Sequence, residues 1–595
     1  MTRFKVRALA STVLAGTLTV VAGGAALAAD VTAERLLNAQ SEPQNWLLPF
    51  GNYEGHMFSS LDEINRDNVA NLKVAFTQPM GTAMIGSPDL NLMNYGLVDD
   101  GIMFVDDGWG GIYKLDLHGG RSNIQWLADS AVSKDERNRT RGMAILGNAV
   151  FHNLNDGRVV AVDQGTGEFL WDKQIARVEH PKGTINQEKE NFTAAPLAVE
   201  GKILVGQSGG DDLTRGWLAA IDPATGDELW RTYTVPAPGE PGHETWKDEN
   251  QAWKVGGAAL WTTGTYDPET GLTYWGTGNA QPMFDVEYRP GDNLFAGAVI
   301  AFDVEDGSID WHFQYTPNEG WDYDENGVHQ VIKGVDVDGE PRNILGHWAR
   351  NGFFYRLDES NGQFVDAAQY VETVNWTKGI DPKTGKPVEY DPNLAVQTYI
   401  PETRMLRGDP EESFCPDWLG GVRWQPPAYN AEKFISYSAG FDGCSVRPVV
   451  AAVPLEGGDA GIDPDAPGGI RGALAGYHQN PGGLVAAVDV RTNEVLARHV
   501  QPYDNQSGTL ATAGGLVFTA TLDGGVVALN DETLEEMWRF DTGIVGVKAP
   551  VFTFSVDDKQ YVAVVAGGRS GAVHAPVYPD LANKSTGAMI YFFAL

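Results

Sequence analysis

One recurring segment limits what this chain can fold into more than any other feature. Small or apolar residues lead into an Asp or Asn, a short polar turn follows, and a Trp comes at a fixed spacing behind it. Clear copies are Val160-Ala161-Val162-Asp163 with Trp171, Ala220-Ile221-Asp222 with Trp230, Ala301-Phe302-Asp303 with Trp311, and Ala528-Leu529-Asn530 with Trp538. Weaker copies begin at Leu115-Asp116, Leu357-Asp358 and Val488-Asp489. Each reads as an alternating strand, a turn containing Gly or Asn, and a second strand ending on a large aromatic, the hairpin pattern of a radial all-β array. An indole repeated at one place in every unit packs between neighbouring sheets, so these Trp residues read as architecture rather than site.

The expected fold is therefore all-β, an eight-bladed β-propeller with long inter-blade loops. Leu72-Lys73-Val74-Ala75-Phe76 is expected to add an outer strand to the C-terminal sheet around Tyr561-Val562-Ala563-Val564-Val565, which removes exposed edges and completes eight blades. The widest gap between copies, from Asp358 to Asp489, places the largest insertion there, and loops are where function sits.

Arg3, Lys5 and Arg7 precede an apolar run and then Ala26-Leu27-Ala28, the pattern of a secretory signal peptide over residues 1–28. Residues 29–595 then form one repetitive domain, expected in a bacterial periplasm with no membrane anchor. A net charge of -36 excludes nucleic acid and anionic membrane as partners and fits a basic protein or a bound cation. Cys415 and Cys444 are the only cysteines. In an oxidising compartment they read as one disulfide stapling the long insertion, with two buried thiols or a metal site as alternatives. No Cys-x-x-Cys-His occurs, so the chain carries no covalent c-type haem and its electrons would leave by another protein.

The residues with chemistry cluster at strand ends. Asn279 follows Gly276-Thr277-Gly278, and Asp322 and Asp324 flank Tyr323. In an extended segment both carboxylates point one way and could grip a hard cation, with Tyr323 opposite; the other reading is a solvated acidic turn. In Gln207-Ser208-Gly209-Gly210-Asp211-Asp212 the glycines permit close approach of a flat ligand and the carboxylates could complete a cation site, or the segment is a plain acidic loop. Arg350 and Arg141 are candidate anion partners or surface residues. Trp261 lies outside the repeated frame and is a candidate for ligand stacking.

Across Gln251-Ala252-Trp253-Lys254-Val255-Gly256-Gly257, Tyr274-Trp275-Gly276-Thr277-Gly278-Asn279, Gly320-Trp321-Asp322-Tyr323-Asp324, Ala349-Arg350-Asn351-Gly352, Cys415-Pro416 and Thr509-Leu510-Ala511-Thr512-Ala513-Gly514, the chain resembles the pyrroloquinoline quinone (PQQ)-dependent alcohol dehydrogenases. That family comprises exported eight-bladed propellers, including methanol and ethanol dehydrogenases and soluble sorbose and polyol dehydrogenases. The resemblance implies a reaction in which Asp322 takes the hydroxyl proton of an alcohol while hydride passes to the quinone, polarised by a cation and Arg350. It further implies that Asn279 is a metal ligand, that Trp261 stacks beneath the quinone, and that Arg141, Thr193, Ser208 and Gly209, with Gly210 beside it, bind its carboxylates or cover its ring. Asp211 falls where the family usually has a metal-binding Glu, and Cys415 with Cys444 matches a structural disulfide. Asp324 matches an extra carboxylate of lanthanide-using members, so the implied cation is Ca2+ or a lanthanide, with Ca2+ slightly ahead.

Two departures bear on substrate. An adjacent cysteine pair of many members would fall near Asp135-Glu136 and is absent, as in the sorbose-type branch, and Gln506 stands where a Trp often walls the small-alcohol pocket. Both imply a roomier, more polar pocket suited to a polyol, a sugar or a bulky secondary alcohol such as a trichothecene. The resemblance further implies that electrons pass to a soluble cytochrome c or another external acceptor. The sequence is silent on oligomeric state. Two other classes share the repeat pattern: a non-enzymatic propeller scaffold for outer-membrane protein assembly, and a calcium-dependent sugar-binding propeller.

Overall fold

The computed structural model describes residues 30–81, 91–133, 139–176, 190–337, 339–455, 461–569 and 571–595. The signal peptide expected over residues 1–28 and the Asp135-Glu136 position lie outside the described residues.

The repeated Asp is a turn-former. Asp163 Oδ1 accepts from the backbone N–H of Gly165 at 2.9 Å and of Thr166 at 2.8 Å. Asp222 does the same for Ala224 and Thr225, and Asn530 for Glu532 and Thr533. A side chain that satisfies the turn's own donors reverses the chain between two strands without help from elsewhere. Behind each turn the register slips once, between Phe169 and Trp171 and at Ala220/Ile221, Ala301/Phe302 and Ala528/Leu529, a bulge that sharpens the local twist.

Among the described residues the strands make eight sheets, seven of four antiparallel strands and one of five. A representative sheet runs Leu197–Val199, Lys202–Gly206, Trp217–Ile221, Glu228–Tyr233 in chain order. The fifth strand of the larger sheet is Phe58–Ser59, paired parallel to Leu510–Thr512. Lys73–Pro79 joins the C-terminal sheet as expected, although its direct neighbour is Ala588–Ala594, which in turn pairs with Lys559–Gly567.

Three indoles of the clear copies and Trp126 of a weaker one bridge successive sheets, while Trp311 Nε1 is buried without a hydrogen-bond partner among the described residues. Trp126 Nε1 donates to Gln164 O at 3.1 Å, Trp171 to Pro223 O at 2.9 Å, Trp230 to Val304 O at 3.2 Å and Trp538 to Leu72 O at 3.0 Å. The turn Gly of the following sheet lies on the ring: at Gly226, with φ +73°, an added Cβ would come 2.8 Å from Trp171. Inner strands such as Trp217–Ile221 are buried along their whole length because sheets cover both faces, whereas the outer Lys73–Pro79 alternates.

The long insertion is mostly irregular and carries the short helix Pro401–Arg404 before the extended strands Ile435–Val446 and Tyr477–Asp489. A disulfide joins Cys415 to Cys444 and pins the irregular part to the first of these strands. Among the described residues no helix is long and apolar enough to cross a membrane.

Candidate functional site

Strand Leu272–Gly276 ends on a glycine because a Cβ at Gly276 would overlap the carbonyl oxygen of Glu325. That contact sets two loops side by side and delivers Asn279 against Asp324, whose Oδ1 accepts the Asn279 N–H at 2.7 Å. The Trp321-Asp322-Tyr323-Asp324 segment is not an extended strand, since Asp322 takes a left-handed φ of +70°. Alternation survives in effect. Trp321 and Tyr323 stack at 5.7 Å, Tyr323 OH donates to Pro416 O at 2.7 Å, and the two carboxylates turn the other way. Asp322 is 3% and Asp324 5% exposed, which overturns the solvated-turn alternative.

Arg350 sits in the turn between Glu340–Trp348 and Phe353–Asp358. Its Nη2 donates to Asp322 Oδ2 at 3.2 Å and to Trp418 O at 2.8 Å, while Nη1 pairs with Asp324. Beneath it, Glu325 Oε2 accepts the Arg350 N–H at 3.2 Å and lies 2.8 Å from His347 Nε2. Burial pushes the Glu325 carboxyl well up and brings the His347 imidazole down to about 3, so both shifts oppose ionisation. The segment after Cys415 thus supplies two carbonyls, Pro416 O and Trp418 O, that hold Tyr323 and Arg350, which is what the disulfide steadies.

The facing wall comes from other sheets. Arg141 Nη1 donates to Thr193 Oγ1 at 2.7 Å and to Trp261 O at 3.0 Å, and the Thr193 and Ser208 hydroxyls are 3.0 Å apart. The Arg141 guanidinium lies 4.8 Å from the Trp261 ring and 4.9 Å from that of Trp424. Gly209, at φ +97°, turns the chain after Ser208 into the short Gly210–Asp212 helix. These walls enclose a cavity of about 390 Å³ lined by Arg141, Thr193, Ser208, Gly209, Gly210, Asp211, Trp261, Asn279, Asp322 and Asp324. Arg350 stands behind its carboxylates, so every residue singled out in the sequence comes to one place.

The family profile of the PQQ glucose/ethanol/alcohol dehydrogenase β-propeller domain matches residues 46–373. The quinoprotein alcohol dehydrogenase PedH of Pseudomonas putida is 32% identical over 96% of this chain and 94% of its own length. This chain belongs to that family. It is an oxidoreductase acting on alcohols with PQQ, which sets aside the scaffold and sugar-binding alternatives. Among solved structures, the quinohaemoprotein alcohol dehydrogenase ADH-IIG of P. putida is 27% identical, with a TM-score of 0.83 over 95% of this chain and 83% of that one. A europium-containing methanol dehydrogenase is also 27% identical, with a TM-score of 0.80 over 94% and 100%.

The residues of this quinoprotein fit both groups that its family implies. At one end, burial raises the Asp322 carboxyl well above its ordinary range; Arg350 opposes the shift and Asp324 and Asp211 reinforce it. Asp324 is raised for the same reason. Crowded carboxylates with an all-oxygen donor set are what a hard cation relieves. Among the described residues no three carboxylate, imidazole or thiolate groups come together closely enough to hold a metal ion. At the other end, burial, with Arg139 and Arg423 beside it, lowers Arg141 well below its usual range. The Nε atoms of Arg141 and Arg423 are buried without a hydrogen-bond partner among the described residues, next to a flat indole and two hydroxyls. That suits a flat polycarboxylate.

Sequence reading missed several lining residues: Trp418, Arg423, Trp424, His478, Asp504 and Lys548. Arg423 and Trp424 had a signal in Gly420-Gly421-Val422-Arg423-Trp424, a glycine pair close behind the disulfide. His478 and Lys548 had none. Gln506, expected at the pocket wall, does line the cavity.

Proposed function

We propose that this protein is a periplasmic PQQ-dependent dehydrogenase of the sorbose/polyol type that oxidises a polyol, sugar or bulky secondary alcohol to the aldehyde or ketone. In this reading the eight sheets are the eight blades of one propeller, and a soluble cytochrome c takes the electrons. The observation that carries it is the position of Asp322: a buried carboxylate in the cavity wall, bonded to Arg350 and set beside Asp324 and Asn279.

Asp211, Asn279, Asp322 and Asp324 hold the cation, Ca2+ or a lanthanide. Arg141, Thr193, Ser208, Gly209, Gly210, Trp261 and Arg350 hold the quinone. When bound, PQQ supplies the hydride-accepting carbonyl carbon and the cation its polarisation. Asp322 takes the hydroxyl proton, and the Arg350 Nη2 contact orients its carboxylate and favours the ionised form against burial. Replacing a family indole by Gln506 in a wall shared with Asp504 and His478 favours a hydroxyl-rich substrate over methanol. Turnover measured beside quinone affinity in Asp322→Asn tests the assignment, since only the base role demands that the first collapse while the second survives.

A further inference from the structure

Lys548 lines the same cavity as Asp322 and is 9% exposed. Its ammonium has one hydrogen-bond partner among the described residues, the neutral amide oxygen of Asn91 at 3.1 Å. No carboxylate of the described residues pairs with it. Arg139, Arg423 and Arg569 all disfavour its charge, and Asp504, which favours it, acts more weakly than each of them. Asp504 is itself engaged by the Tyr578 hydroxyl. A buried ammonium in such company is costly unless a partner arrives with the ligand.

The cofactor end already gathers Arg141, Thr193, Ser208 and Trp261. Lys548 shares the neighbours Arg139 and Arg423 with Arg141 and also meets Asp504, in a cavity wall that Gln506, His478 and Tyr578 line as well. We propose that Lys548 binds a carboxylate carried by the alcohol substrate, so that the protein takes a hydroxy acid or sugar acid whose hydroxyl reaches Asp322. A monoanion fits better than a phosphate dianion because Asp504 lies in the same wall. The inference rests on the proposed function and adds no chemical step, since the carboxylate is a handle that takes no part in the oxidation.

The test uses holoenzyme loaded with PQQ and a cation, and reads dye-linked kcat/KM for matched pairs: gluconate against glucitol, and 6-hydroxyhexanoate against 1,6-hexanediol. The acid of each pair is expected to be preferred by about tenfold, the order of one charge-assisted hydrogen bond. Lys548→Met should erase most of that preference through KM, and Lys548→Arg should keep it. A wild-type enzyme indifferent to the carboxylate overturns the inference with no variant needed. So does a Lys548→Met protein that loses PQQ affinity in fluorescence titration and slows equally on acid and diol, which would assign the ammonium to the cofactor. Failure of the wild type to oxidise any alcohol with PQQ present would instead remove the proposed function.

Discussion

Arg350 reaches Asp322 through Nη2 at 3.2 Å while both side chains are almost fully buried. The same guanidinium holds Asp324, and its backbone N–H is held by Glu325, which also contacts His347. The Asp322 carboxylate is thus held from behind, and its open side is the cavity.

Asp322→Asn keeps the size of the side chain and removes the base. Turnover should fall by about 10²–10⁴-fold while PQQ binding stays measurable, with weaker cation affinity allowed because Asp322 also faces the metal end. Turnover within about threefold of the parent, small beside the usual cost of losing a general base, contradicts the role.

Asp324 divides the ions. A trivalent lanthanide asks for more anionic oxygen than Ca2+, so Asp324→Ala should impair lanthanide-supported activity far more than Ca2+-supported activity when chelator-treated protein is titrated with each ion in the presence of PQQ. Equal losses would mean that Asp324 acts through its contacts to Arg350 and Asn279 rather than by selecting the ion.

Gly226 clamps an indole of the preceding sheet from a backbone angle of +73°. Gly226→Ala should lower stability by about 1–3 kcal/mol, read as an earlier urea midpoint. An unchanged midpoint would show that the turn does not hold Trp171.

Lys548 gives the folded state a pH signature. Burial and neighbouring cations lower its ammonium from 10.5 to about 7, so between those values the unfolded chain binds a proton that the folded chain does not. The destabilisation is fully present below about pH 7 and is relieved as pH rises towards 10.5. Two groups facing it titrate lower, Asp504 at about 6 and His574 at about 4. Without cofactor, the Tm advantage of Lys548→Met over the parent should be largest near pH 6.5 and shrink by about pH 9. A constant difference would place the ammonium in solvent.

The fold was legible because its units are local. Asp163, Asp222 and Asn530 cap their own turns, and Trp171, Trp230 and Trp538 recur in step, so short-range pattern carries the architecture. The carboxylate end of the cavity was legible because Gly276 and Asp322 sit in distinctive short motifs. The extended-strand reason given for Asp322 and Asp324 was incomplete: the backbone at Asp322 is left-handed, and stacking of Trp321 on Tyr323 keeps the carboxylates on one side. His478 and Lys548 were not legible as site residues, and Arg423 was marked only by the glycine pair before it. Each belongs to a different sheet or insertion, and only the assembled cavity gives them a common partner.

The most direct measurement is the initial rate of dye-linked alcohol oxidation by chelator-treated protein as PQQ and a hard cation are added separately and together. The account predicts no activity with either alone and saturable activity with both, at a fixed stoichiometry of quinone to chain. Alcohol oxidation supported by NAD without quinone, or no activity with any alcohol when quinone and cation are both bound, would contradict it.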